Sequence, residues 1–186
     1  MEREAFKYTV NYCEENIWHL CQHPELHDFD KKVLIVSNSA KNCPFYSQKS
    51  GQDEQAVWWD YHVIMLASKD GSNMVYDFDS RLNFPCELTD YLERTFLNHP
   101  YWLEKDLPQF KAIEANTYTK AFFSDRSHMK DLHGNWIFSP PAWPIIEGKG
   151  KLILNDLMDF SQNSHQRIFS LEEMHLFAQK PGFLLK

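Results

Sequence analysis

Residues 57–79, VWWDYHVIMLASKDGSNMVYDFD, constrain the fold more than any other stretch of the chain. Residues 58–66 are aromatic and β-branched, Asp70-Gly71 is a turn signal, and residues 74–78 resume the strand pattern, so the stretch reads as a β-hairpin. His62 sits near the start of its first strand, and Asp77 and Asp79 sit at the end of its second. With Asp70-Gly71 as a two-residue turn, His62 falls opposite Asp79, and Asp77 lies diagonal to it on the same face. With the turn at Lys69-Asp70, His62 lies opposite Asp77 instead. Directly paired and diagonal residues both come within side-chain reach. Either register lets a carboxylate hold one imidazole nitrogen while the other moves a proton. Taken alone, the hairpin has a plainer reading, a histidine beside a surface carboxylate with no chemical task.

At 186 residues the chain suits one packed domain over residues 1–186 and is too short to divide comfortably into two. A 43% hydrophobic share supports a substantial core. The formal net charge of −7 gives a nucleic-acid or anionic-membrane partner no electrostatic support. No apolar run approaches the ~20 residues of a membrane span, and Met1-Glu2-Arg3-Glu4 does not resemble a secretory signal. Cys13, Cys21, Cys43 and Cys86 have no paired spacing, which argues against a disulfide framework and against a zinc site. The expectation is a monomeric cytoplasmic or nuclear protein with reduced thiols and neither metal nor organic cofactor.

Residues 11–21, NYCEENIWHLC, read as a helix with Asn11 as N-cap and Glu14 in the capping-box position. Cys13, Ile17, Leu20 and Cys21 share one face, and Pro24 ends the segment. Cys13 therefore lies in the first turn, where free N–H groups and the helix dipole are expected to lower a thiol pKa. Glu14 and Glu15 push the other way, so an imidazole partner is needed to complete the activation. Cys21 reads as a small buried hydrophobe. His19, His23 and His27 recur every fourth residue, but Pro24 breaks the helix that would align them on a metal.

Further along, residues 32–38 predict a strand and residues 41–55 a polar, mobile loop. Thr89 or Asp90 is expected to cap a helix running to Leu97, with residues 110–115 a strand and residues 116–123 a short helix. Residues 124–131, SDRSHMKD, form a charge-mixed loop. Ser170-Leu171-Glu172-Glu173 is a capping box opening a last helix, with Leu171, Met174 and Phe177 inward.

A cysteine at a helix start, with His and Asp on adjacent antiparallel strands, is a nucleophile, base and orienter set. At these residues the chain resembles the protein N-terminal glutamine amidohydrolase family, marked by a WDYHV motif that stands here as Trp59-Asp60-Tyr61-His62-Val63. The likeness extends to Tyr12-Cys13-Glu14-Glu15-Asn16-Ile17-Trp18, to Tyr76-Asp77-Phe78-Asp79, to residues 124–131 and to Gly134-Asn135-Trp136. The resemblance implies an α+β fold, an α-β-α sandwich on a mostly antiparallel sheet with a transglutaminase- and papain-like core. It implies conversion of an N-terminal glutamine of proteins or peptides to glutamate with release of ammonia, feeding arginylation and degradation by the N-degron pathway. It places the catalytic roles on Cys13, His62 and Asp77, and so prefers Asp77 where the hairpin register left the choice open.

Such a substrate is distinguished by its free α-ammonium, so the pocket needs an acceptor-rich, anionic wall. Glu14, Asp79 and Asp125 are candidates, with Ser127 as a neutral acceptor and Trp59 as an apolar wall. Each has a bland alternative: Glu14 as a helix cap, Asp79 as a turn former, Asp125 as loop solvation. Two other classes fit the same residues, a thiol protease or transglutaminase-like acyl transferase and a non-catalytic module binding through its Trp- and Pro-rich surface.

Overall fold

Two apolar runs make the centre of the molecule. In the computed structural model, which describes residues 3–97, 102–150, 152–160 and 166–179, residues 33–36 lie in β1 (Asp30–Ser37) and residues 63–66 in β4 (His62–Lys69). The two strands pair antiparallel with Val36 opposite His62. On one side β4 pairs with β5 (Ser72–Tyr76), which pairs with β6 (Cys86–Glu87). On the other, β1 pairs with β7 (Gln109–Glu114), which pairs with β8 (Ile168–Ser170). The resulting six-stranded sheet has the order β6-β5-β4-β1-β7-β8, with every strand pairing antiparallel.

Both faces of this sheet are covered, which is why its central strands are continuously apolar rather than alternating. Val33, Ile35, Val63 and Met65 pack with Ile17 and Leu20 of α1 (Cys13–Cys21) and Tyr118 of α3 (Ala115–Ala121). Leu34, Val36, Ile64 and Leu66 pack with Leu92 of α2 (Leu88–Thr95) and with Met174 and Phe177 of α5 (Leu171–Ala178). Each fully buried aliphatic side chain contributes about 1.5–3 kcal/mol of transfer free energy. The chain is thus a mixed α/β protein built on a mostly antiparallel sheet. Among the described residues no helix is long and apolar enough to cross a membrane.

The hairpin turns at Asp70-Gly71, with Lys69 opposite Ser72, and both turn residues have positive φ, 51° and 82°. The single strand expected over residues 58–66 is instead divided. Val57–Trp59 forms β3, which pairs with β2 (Cys43–Phe45) in a separate two-stranded sheet. The break falls at Asp60, whose carboxylate accepts the next N–H, that of Tyr61, at 2.9 Å and whose carbonyl accepts the Ser37 hydroxyl at 2.5 Å. β2 also corrects the mobile loop expected over residues 41–55, because Cys43 and Phe45 are buried and pin it.

Asn11 is not the N-cap of α1. It takes φ 66°, Tyr12 occupies the cap position, and no side chain caps the helix. The preceding turn is held from inside the helix, where Asn16 accepts the Thr9 N–H and donates to the Thr9 carbonyl, both at 2.8 Å. Helix α2 is capped not by Thr89 or Asp90 but earlier, by Glu87, which accepts from the N–H groups of both those residues. The Ser170 capping box of α5 is present with Glu173 as its partner.

Candidate active site

The end of the sheet where β4 begins and β5 stops carries a cavity of about 220 Å³. Cys13, Trp59, Tyr61, His62, Asp79, His128 and Phe138 are among its walls. Each reaches it for a local reason. Cys13 is the first residue of α1, anchored by the Tyr118 hydroxyl, which donates to the Glu14 carbonyl at 3.0 Å. His62 opens β4, and strand alternation puts it on the same side as Ile64 and Leu66. Asp77 follows the last residue of β5.

His62 Nε2–H donates to Asp77 Oδ1 at 2.8 Å, with both side chains buried. This is the diagonal pairing allowed by the Asp70-Gly71 turn. Asp77 also accepts from the Asp79 N–H at 2.9 Å, the Tyr91 hydroxyl at 2.9 Å and the Gln48 amide at 3.3 Å. Burial alone would raise its pKa, but the His62 charge and these hydrogen bonds outweigh it and hold Asp77 down to about 2. Burial likewise works against the charged form of His62, yet the Asp77 charge and hydrogen bond shift its pKa upward on balance. Trp59 stacks on the imidazole at 5.2 Å, and Phe45 meets it edge-on at 5.4 Å. His62 Nδ1 is buried and has no hydrogen-bond partner.

Cys13 corrects the expectation of a thiol already lowered by its helix. Burial pushes its pKa well up, the charges of Glu14 and Asp79 add to this, and only the Val63 N–H works against them. The thiol donates to Glu14 Oε2 at 3.5 Å. That same oxygen accepts the Tyr61 hydroxyl at 3.3 Å. Burial raises Glu14 to about 7.

Of the other expected wall residues, Trp59 and Asp79 line the cavity and Glu14 touches its thiol. Asp79 Oδ1 accepts the Tyr8 hydroxyl at 2.5 Å, and burial raises the Asp79 pKa. Asp125 and Ser127 are exposed and satisfy each other, with the Ser127 N–H and hydroxyl donating to the Asp125 carboxylate at 3.0 and 2.9 Å. Neither lines the cavity; they shape the turn that delivers His128, whose Nε2 lies 3.8 Å from Glu14 Oε1.

That turn is tied to α1 through Glu15. Its carboxylate accepts from Ser124, from Arg126 Nε and Nη2 at 2.8 and 2.7 Å, and from the Trp143 indole at 2.6 Å. His128, Tyr8, Gln48 and the Glu15–Arg126 pair are not apparent in the sequence. The one usable signal is Met129, an apolar residue inside a charged run and buried here against the cavity.

His62, Asp77 and Asp79 place ligand atoms within 4.8 Å of one another. The Asp77 oxygens already accept four hydrogen bonds, which fills a carboxylate's acceptor sites and leaves none for a metal. A larger groove of about 990 Å³ lies elsewhere, lined by Trp18, His19, Lys120, Trp143 and Lys149 among others, but no cysteine reaches it. Size does not locate the chemistry here; of these two, it is the smaller cavity that brings the Cys13 thiol and the Asp77-bound His62 imidazole together.

A thiol and a carboxylate-held imidazole on one enclosed wall are equipped for acyl transfer, the class of chemistry that hydrolyses amides. A family model described as N-terminal glutamine amidase matches residues 8–180, and the chain belongs to this family. It is 39% identical to a human protein over 190 aligned residues, covering 96% of this chain and 91% of that one. A zebrafish (Danio rerio) protein is 41% identical over 81% of this chain and 78% of its own length. A rice (Oryza sativa subsp. indica) protein is 32% identical over 100% of this chain and 85% of its own length. All three are named protein N-terminal glutamine amidohydrolase.

Proposed function

We propose that this protein hydrolyses the side-chain amide of an N-terminal glutamine through a Cys13-His62-Asp77 triad and a thioester intermediate. The observation that carries this reading is the His62 imidazole, bound to Asp77 through Nε2 and unpartnered at Nδ1, on a cavity shared with the Cys13 thiol. Nδ1 takes the thiol proton, and the thiolate attacks the glutamine Cδ. The imidazolium then gives that proton to the departing nitrogen, so ammonia leaves and a thioester remains. His62 next deprotonates water, the hydroxide adds to the thioester carbon, and glutamate leaves as the thiol is restored. The first turn of a helix leaves its N–H groups without internal acceptors, so the Cys13 N–H is available to the oxyanion.

The substrate's α-ammonium lies against Asp79 and Glu14, with Trp59 packing the aliphatic chain. Asp125 and Ser127 contribute by holding the turn that carries His128. The antiparallel sheet, with the cysteine-bearing helix on one face, supports a transglutaminase- and papain-like core in one domain over residues 1–186. A glutamate N-terminus is the product that arginylation in the N-degron pathway would consume, which fits a monomeric enzyme of the cytoplasm or nucleus needing no cofactor.

Ammonia release from Gln-initiated, Asn-initiated, internal-Gln and N-acetylated peptides tests the reading. Only the first should react well, and Cys13→Ala should abolish the reaction while leaving the thermal melt intact. Equal rates on acetylated peptides would point to a general thiol hydrolase, and an active Cys13→Ala variant would remove the nucleophile.

A further inference from the structure

The first turn of α1 puts a carboxylate where a thiol enzyme is least helped by one. Glu14 directly follows Cys13, and its Oε2 accepts the Cys13 thiol proton at 3.5 Å, with both side chains buried. We propose that Glu14 is a brake on the nucleophile, released by the α-ammonium of the substrate itself. The proposal rests on the amidase reading and names what gates the same site.

The groups around the thiol support this. Glu14 faces it from α1, Tyr61 and His62 from the start of β4 with the Val63 N–H, and Asp79 from the segment after β5. His128 lines the same cavity from the 127–129 turn, and Tyr118 of α3 lies behind it. Among the described residues, the one basic side chain within 4.0 Å of the Glu14 carboxylate is His128, at 3.8 Å. Burial lowers the His128 pKa, so its imidazole gives Glu14 little positive charge. The Arg126 guanidinium acts on Glu14 only from beyond 4.0 Å and is already paired with Glu15, whose charge adds to that of Glu14. Before substrate binds, and increasingly as pH rises through about 7 where Glu14 ionises, its charge therefore opposes a second negative charge on sulfur.

A glutamine N-terminus carries its positive nitrogen roughly 5 Å from its own side-chain carbonyl carbon, given ordinary bond lengths. A substrate that presents the carbonyl to Cys13 thus brings its ammonium into the field of Glu14 and Asp79. Once Glu14 is paired, the thiol proton moves to His62 Nδ1, giving thiolate and imidazolium. The ammonium keeps its three protons, and no covalent bond to carbon changes in this step. An acetylated terminus binds without a charge and leaves the brake on, so discrimination appears in kcat at saturation as well as in KM.

Alkylation of Cys13 by iodoacetamide, followed by mass spectrometry across pH in the full chain, reads this directly. Glu14→Gln keeps a partner for Tyr61 and removes the charge. It should alkylate about tenfold faster than wild type above the Glu14 pKa of about 7, the change expected for a one-unit fall in thiol pKa, with the gap closing at lower pH as wild-type Glu14 protonates. It should also narrow the kcat ratio between free and acetylated Gln-initiated peptides. A Glu14→Gln profile that superimposes on wild type overturns the proposal. Should that variant fail to fold, wild type decides: glycinamide must accelerate alkylation and N-acetylglycinamide must not, and equal rates overturn it. Wild type that releases no ammonia from any Gln-initiated peptide overturns the amidase reading instead, and leaves the alkylation result as a property of the thiol.

Discussion

Asp77 reaches His62 across one diagonal of the β4–β5 hairpin, at 2.8 Å, while three further donors hold its carboxylate, the Asp79 N–H on Oδ1 and the Tyr91 hydroxyl and Gln48 amide on Oδ2. The carboxylate is therefore fixed before the imidazole meets it, and the imidazole inherits that orientation.

Asp77→Asn should lower kcat by roughly 10³–10⁴-fold with KM changed far less, because an amide can hold His62 in the wrong tautomer. The same variant has a stability signature. A pKa held down to about 2 contributes stability that is present above the ordinary aspartate value near 3.8 and is lost as pH falls through 2. Wild type should lose on the order of 2 kcal/mol across that window, and urea titrations at pH 4, 3 and 2 should show a flatter loss in Asp77→Asn.

Glu14 predicts the opposite slope. Its pKa is raised by burial to about 7, so its favourable contribution is full below about 4.5 and is lost as pH rises through 7. Glu14→Gln should therefore gain on wild type as pH rises from 5 to 8, by up to on the order of 3 kcal/mol. Denaturant midpoints at four pH values check this, and a constant gap would show that Glu14 does not titrate in that range.

The Glu15–Arg126 pair joins α1 to the wall carrying His128. Arg126→Leu leaves a fully buried carboxylate without its bidentate partner, which typically costs about 3–5 kcal/mol. The loss should appear in urea denaturation, with a fall in kcat/KM as the 124–129 segment loosens. A double-mutant cycle with Glu15→Leu should recover part of the stability.

Gly148 lies too close to α3 for a side chain. An added Cβ would fall 2.2 Å from the Phe122 carbonyl oxygen and 2.5 Å from the Ala121 carbonyl carbon. Neither contact can rotate away, so Gly148→Ala should cost about 1–3 kcal/mol, read as a lowered thermal midpoint.

Local chemistry explains which features were legible from residue order. The Asp70-Gly71 turn sets a register, the period of two sets His62 and Asp77 on one face, and Ser170 with Glu173 caps α5 because both partners lie within one turn. Where a local rule failed, a competing hydrogen bond had taken over, near in sequence in one case and far in the other. Asn11 yields the cap to a turn held by Asn16, and the strand breaks at Asp60 because Ser37 of β1 claims its carbonyl.

Residue order by itself determined the hairpin, the two-sided apolar strands and the thiol at the mouth of a helix, since each depends on neighbours a few positions away. Tertiary structure alone decided how that thiol behaves. Glu15 meets Arg126 across 111 positions, Tyr8 meets Asp79 across 71, and Gln48 meets Asp77 across 29. Burial then pushes the Cys13 thiol up, because the cost of desolvating a charge depends on everything packed around it and no stretch of sequence carries that sum.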